Sequence, residues 1–131
     1  MKPKRILIVE DEAMTVAALK REVASFGYEI AGTASTTFEA LHEVEALQPD
    51  LILMDITIAG AIDGVTAAVA IRGNFHAPVV FLTAHADKKT MERAAGAGAF
   101  GYVLKPYTGA ELKAAIETAL HKYEAEVTSR S

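Results

Sequence analysis

The sequence predicts an α/β domain, a doubly wound five-stranded parallel sheet flanked by five helices. Three observations predict it. Short runs of consecutive apolar residues, the mostly β-branched Ile6-Leu7-Ile8-Val9, Leu51-Ile52-Leu53-Met54 and Val79-Val80-Phe81-Leu82, read as strands buried on both faces. Segments of helical period separate them, and right-handed crossovers then leave few topologies other than a doubly wound sheet. Finally, the apolar runs end abruptly on polar residues, at the sheet edge where such folds place their ligand crevice.

Taken in order, the first strand stops on Glu10-Asp11-Glu12. A helical stripe follows, Val16, Leu19, Val23 and Phe26, closed by Gly27 at the position where a helix C-terminal glycine belongs. Tyr28 to Ala34 forms a short second strand of imperfect alternation. Thr36 and Glu39 have capping-box spacing and open a helix carrying Ala40, Leu41, Val44 and Leu47, which ends at Pro49-Asp50. The third strand is Leu51 to Asp55. A loop of turn formers, Ala59-Gly60-Ala61-Ile62-Asp63-Gly64, leads to a third helix bearing Val65, Ala68 and Val69.

Pro78 starts the fourth strand, which ends on Thr83. The fourth helix, about Asp87 to Ala97, is weak because Gly96 falls inside it, at a cost of roughly 1 kcal/mol relative to alanine. Gly101-Tyr102-Val103-Leu104 is the fifth strand, ending on Lys105-Pro106. The fifth helix, from about Gly109, sets Leu112, Ala115, Ile116, Ala119, Leu120 and Tyr123 on one stripe. Residues 1–126 make one domain, and 127–131 read as a polar C-terminal tail.

Composition narrows the functional classes. A chain of 131 residues, half of them apolar, buries a real core. The net charge of -4 supplies neither a basic stripe for nucleic acid nor a polybasic segment for a membrane surface. No apolar run approaches a membrane span, and the basic start is not followed by a signal-peptide core, because the first apolar run breaks at Glu10. With no cysteine, disulfides and thiolate metal sites are excluded, and a cytoplasmic location is the default.

The chemistry lies at the strand ends. Glu10, Asp11, Asp55, Thr83 and Lys105 come from four strands that converge on one edge of the sheet. Either acid alone reads as a strand turning into solvent, and Lys105 alone as a surface lysine; together they are hard to assign to coincidence. Clustered carboxylates resist full ionisation, and a hard divalent cation relieves their repulsion. Oxygen ligands without histidine or cysteine point to Mg²⁺ or Mn²⁺. Magnesium uses few protein carboxylates and leaves room for a phosphoryl oxygen, which an ammonium and a hydroxyl opposite would also bind.

These positions carry a resemblance. Glu10-Asp11, Asp55 after Leu-Ile-Leu-Met, Asp63-Gly64, Thr83-Ala84 and Gly101-Tyr102-Val103-Leu104-Lys105-Pro106 together resemble the receiver (CheY-like) domain of two-component response regulators, over nearly the whole chain. The resemblance implies a flavodoxin-like sheet of strand order 2-1-3-4-5 and a Mg²⁺-dependent phosphoryl acceptor. Asp55 would take the phosphoryl group from a sensor histidine kinase, a histidine phosphotransfer protein or a small donor such as acetyl phosphate. Asp11, Asp55 and the backbone carbonyl of Thr57 would ligate the metal, with Glu10 acting directly or through water.

Lys105 would bind a phosphoryl oxygen, and the Lys105–Pro106 peptide would be cis. Thr83 and Tyr102 would form the switch, signalling through the surface of the fourth helix, fifth strand and fifth helix to an output domain or protein partner. That face also suits a homodimer. Thr57 and His85 stand where the family tunes the lifetime of the acyl phosphate. His42, His76 and His121 lack metal spacing and read as surface residues, and Asp63 as a turn or cap residue. The implied domain is a switch rather than an enzyme, with at most slow self-phosphorylation and self-dephosphorylation.

Two departures from the family's pattern affect the site. The loop after Asp55 is one residue longer than usual and lacks its proline, which bears on metal affinity and partner choice. Glu10 replaces the more frequent aspartate and reaches one methylene further.

Other classes fit less well. A phosphohydrolase with an aspartate nucleophile needs a second aspartate two residues on, where this chain has Thr57. A flavodoxin-type cofactor binder needs a phosphate loop where Glu10-Asp11-Glu12 stands. A receiver fold that binds partners without being phosphorylated would not need all five polar positions filled.

Overall fold

The computed structural model describes residues 2–56, 68–69, 71, 77–84, 88–96 and 99–130. Five strands, β1 (Arg5–Val9), β2 (Glu29–Ala34), β3 (Leu51–Asp55), β4 (Val79–Thr83) and β5 (Gly101–Leu104), pair in parallel in the order β2-β1-β3-β4-β5. The predicted sheet and its flavodoxin-like order are therefore observed. The ladder β1–β3 aligns Val9 with Met54, β3–β4 aligns Asp55 with Leu82, and β4–β5 aligns Thr83 with Leu104. This register brings the polar residue that ends each strand to one edge.

Side chains alternate between the two faces of the sheet, so each strand feeds two cores. Leu7, Val9, Ile52, Met54, Val79 and Phe81 pack on one face with Ala40 and Val44 of α2 (Thr37–Leu47) and with Ala68 and Ile71. Ile6, Ile8, Leu51, Leu53, Val80 and Leu82 pack on the other, against Leu19 and Val23 of α1 (Ala13–Ser25) and Leu112, Ile116 and Ala119 of the C-terminal helix (Gly109–Arg130). The predicted third helix is helical at residues 68, 69 and 71, and the rest of it lies outside the described residues.

Local signals act largely as predicted. Gly27 has φ +94, and the N–H groups of Gly27 and Tyr28 close on the carbonyls of Ala24 and Val23, a Schellman end to α1. The imperfect alternation in the second strand has a cause. The register passes from Ile6 opposite Ile30 to Leu7 opposite Gly32, leaving Ala31 as an extra residue. At Gly32 a Cβ would stand 2.7 Å from Leu47 Cδ1, so the bare backbone lets α2 approach the sheet. Thr36 caps α2 by accepting from the Glu39 N–H at 3.1 Å, while Glu39 accepts from the N–H of Ser35 rather than of Thr36.

One helix end differs from expectation. The helix Lys88–Gly96 is described up to Gly96, and residues 97 and 98, where its end was expected, lie outside the described residues. The C-terminal helix runs through the predicted polar tail to Arg130. Polar residues there carry no apolar period, yet they continue a long helix already nucleated on the core, and each further residue adds a hydrogen bond without a new nucleation cost. Among the described residues, no helix is long and apolar enough to cross a membrane.

Candidate functional site

The site is built from strand ends that the packing holds still. β1, β3 and β4 are buried through their last residues, and the next polar groups are buried with them: Glu10 is 3 % exposed, Asp55 5 % and Thr83 1 %. Lys105 reaches the same edge from the end of β5. Its backbone N–H donates to the Thr83 carbonyl at 2.8 Å, and its side-chain Nζ donates to Asp55 Oδ2 at 2.9 Å. Nζ also lies 3.6 Å from Glu10 Oε2. The Lys105–Pro106 peptide is cis, as the resemblance implied.

Electrostatics at this edge are unbalanced. Burial pushes the Glu10 carboxyl up to about 7, and the Asp55 carboxylate beside it adds to the rise. The Glu12 N–H, which donates to Glu10 Oε1 at 3.2 Å, and the Lys105 ammonium offset it only in part. Among the described residues, Glu10 Oε2 is buried with no hydrogen-bond partner. Burial alone would lower the Lys105 ammonium, but Asp55 and then Glu10 outweigh it and hold its pKa above the ordinary lysine value.

Glu10, Asp55, Thr83 and Lys105 are thus gathered where the sequence placed them. Asp11 follows Glu10 into solvent and lines a cleft between the first turn of α1 and the end of β2, together with Glu10, Val16, Thr33 and Ser35. The expected cluster of three close carboxylates is not formed. Among the described residues, no three acidic or histidine side chains stand together as a ready metal cage. The ammonium of Lys105, and not a third acid, shares the space between Glu10 and Asp55. Thr57, His85, Asp63 and Gly64 lie outside the described residues.

Tyr102 sits on β5, 52 % exposed, beside Val103, which is buried in the core. Sequence reasoning missed Tyr107. Its half-buried phenol packs on the core beside Lys105, and burial followed by the charge of Glu22 raises its pKa. It also missed the cap that ends the Lys105 loop. Thr108 Oγ1 accepts from the Glu111 N–H and Glu111 Oε1 accepts from the Thr108 N–H, both at 3.1 Å. The signal was visible as Thr-x-x-Glu.

A parallel sheet with buried acids, a threonine and a lysine at its carboxyl edge defines a class, the signal receiver domain, and comparison with known proteins agrees. A family model described as the response regulator receiver domain matches residues 6–117. Curated relatives include the transcriptional regulatory protein PdtaR of Mycobacterium tuberculosis, 39% identical over 127 residues, covering 97% of this chain and 61% of PdtaR. PrrA of Mycobacterium leprae is 34% identical over 128 residues, covering 97% and 54%.

Among solved structures, the signal receiver domain of a modulated diguanylate cyclase from Desulfovibrio desulfuricans G20 superposes with a TM-score of 0.88 at 35% identity, covering 95% of this chain and 99% of that one. The N-terminal domain of a response regulator/sensory box/GGDEF protein from Carboxydothermus hydrogenoformans gives 0.85 at 40% identity, covering 95% and 99%. The chain belongs to the response regulator receiver domain family of two-component systems. It spans 61% of PdtaR and 54% of PrrA. Response regulators as a family work with histidine kinases and output domains.

Proposed function

We propose that this domain is a phosphorylation switch in which Asp55 accepts a phosphoryl group from a histidine kinase, a phosphotransfer protein or a small acyl phosphate. The observation that carries the reading is the 2.9 Å contact between Lys105 Nζ and Asp55 Oδ2 beside a second buried acid. A carboxylate oxygen of Asp55 forms the new P–O bond. The bond to the donor's imidazole nitrogen or acyl oxygen breaks, and its electron pair leaves with the donor.

Lys105 neutralises charge on the phosphoryl oxygens and, as a point charge on a flexible stem, follows them as they move. Thr83 offers a hydroxyl donor from the end of β4. The surrounding apolar strands exclude water from all but the open edge and so strengthen both contacts.

The residues fit a divalent cation. Glu10 Oε2, without a hydrogen-bond partner among the described residues, lies beside Asp55 with the Lys105 ammonium 3.6 Å away, so two buried acids stand near one cation and can take a second. Magnesium, or manganese in its place, would be held by Asp11 and Asp55 with the Thr57 carbonyl, and by Glu10 directly or through water. Since Mg²⁺ retains several waters, it does not require a closed cage of carboxylates. When bound, it supplies neutralisation of phosphoryl charge.

The exposed ring of Tyr102 and the 2.8 Å backbone link from Lys105 to Thr83 support signalling through β5 and the two helices that follow β4 and β5. His85 and Thr57 would set how long the acyl phosphate survives. Residues 1–126 would form the switch, with 127–131 leading away from it.

The test is treatment with acetyl phosphate and Mg²⁺, read by intact mass. One phosphoryl adduct is expected on the wild type and none on Asp55→Ala. An adduct that persists in the variant, or a wild type that never labels, would end the proposal.

A further inference from the structure

The edge of the sheet opposite Asp55 carries a groove of its own. Two cavities, of about 310 Å³ and about 220 Å³, open between the strand starts and the C-terminal half of the last helix. Lys4, Leu120 and Glu124 line both, so the two are lobes of one groove. Pro49, Asp50, Tyr123 and Val127 wall the larger lobe, and Tyr28, Glu117 and His121 the smaller. Together the lobes have the size of a small-molecule site.

The floor is held in place. The Glu29 N–H donates to the Lys4 carbonyl at 2.9 Å, the Asp50 N–H to the Arg5 carbonyl at 2.8 Å, and the Arg5 N–H to Asp50 Oδ2 at 2.8 Å, which ties the starts of β1, β2 and β3 together. Leu120 is buried on the core, and the Tyr123 ring meets Phe100 edge-on at 5.8 Å. Among the described residues, the lining carries three carboxylates, Asp50, Glu117 and Glu124, against the ammonium of Lys4. That ammonium stands 3.4 Å from Glu124 Oε1, where the lobes meet, so an alkyl chain ending in positive charge already lies in the groove.

We infer that this groove binds a linear aliphatic diamine, one ammonium between Asp50 and Glu124 in the larger lobe, the other at Glu117 in the smaller, and the methylenes over Leu120. The tyrosine at each end offers an apolar face that also attracts a cation. Since the carboxylates face solvent, a single ion pair there is worth little, and the second ammonium and the apolar floor supply the selectivity. Lys4, half-exposed on a flexible stem, swings aside. The site does not rest on the phosphorylation reading.

The experiment titrates the full chain with 1,5-diaminopentane, followed by amide NMR shifts, beside 1-aminopentane, which has the same body and one ammonium fewer. The diamine should shift the amides of Lys4, Tyr28, Asp50 and Glu124 in one saturable transition. The monoamine on wild type, and the diamine on Glu124→Gln, should each bind more weakly, on the order of tenfold, the scale of one lost charge-assisted hydrogen bond. Lys4→Met, which leaves Glu124 to the ligand, should bind the diamine more tightly.

Equal affinity for the two amines, or for the diamine in wild type and Glu124→Gln, would overturn the inference and reduce the effect to counter-ions on an acidic surface. Equal or weaker binding by Lys4→Met would also overturn it. A lysine-rich peptide that shifts these amides while the diamine does not would overturn it in favour of a docking site for a basic protein segment. Both substitutions fall on exposed side chains, and the comparison of the two amines on wild type needs neither variant to fold.

Discussion

β3 and β5 have nearly the same length and both end beside the site, yet they are built differently. Every residue of β3, from Leu51 to Asp55, is buried, whereas β5 lies at the sheet edge with Tyr102 and Leu104 exposed on either side of buried Val103. The difference separates two tasks. A strand packed on both faces can hold an acid at a fixed point, and an edge strand can show a partner side chains that depend on what happens there.

The same deletion made in each strand probes that division most directly. Leu53→Ala removes a fully buried side chain and should cost about 2–5 kcal/mol in urea unfolding, whereas Leu104→Ala should cost less than about 1 kcal/mol. Equal losses would erase the contrast.

Next is the pH dependence of the metal-free domain, measured with chelator present. The folded-state pKa of Glu10, raised from 4.5 to about 7, means that the folded state binds this proton more tightly than the unfolded chain does. Its contribution is fully present below about pH 4.5 and is lost as pH rises through about 7. Glu10→Gln should flatten that part of the stability profile; a profile unchanged by the substitution would contradict the assignment.

Thr108→Ala, which removes the cap behind the Lys105 loop, should cost about 1 kcal/mol, read as a shift in urea midpoint. Smallest is Tyr102→Ala, expected within about 0.5 kcal/mol of wild type while abolishing any phosphorylation-dependent chemical shifts that the β5 face transmits. A large stability loss would mean that Tyr102 supports the fold and is not a displayed group.

Much of this arrangement was legible in the chain because central parallel strands announce themselves. Ile6 to Val9, Leu51 to Met54 and Val79 to Leu82 are apolar without interruption, and the polar residue that stops each run is the one found at the sheet edge. What the sequence hid was of another kind. Ala31 disturbs the period of β2 because one extra residue has no partner, and alternation cannot distinguish that from a poor strand. The helical turn at 127–130 has no apolar stripe to reveal it, and it depends on the helix before it.

The pairing of Lys105 with Asp55 joins residues fifty positions apart. Their convergence could be read from strand order, but the contact of the one ammonium with both Asp55 and Glu10 could not. Residue types fix which charges meet, while the register and the reach of each side chain decide which of them touch.

The bond from the Lys105 N–H to the Thr83 carbonyl has a mechanical consequence. It carries the ladder between two neighbouring strands one residue past β5, so the backbones of the threonine and the lysine are joined with no side chain as intermediary. Were the acidic edge to move on phosphorylation, as proposed, that bond would carry the shift sideways into the outermost strand.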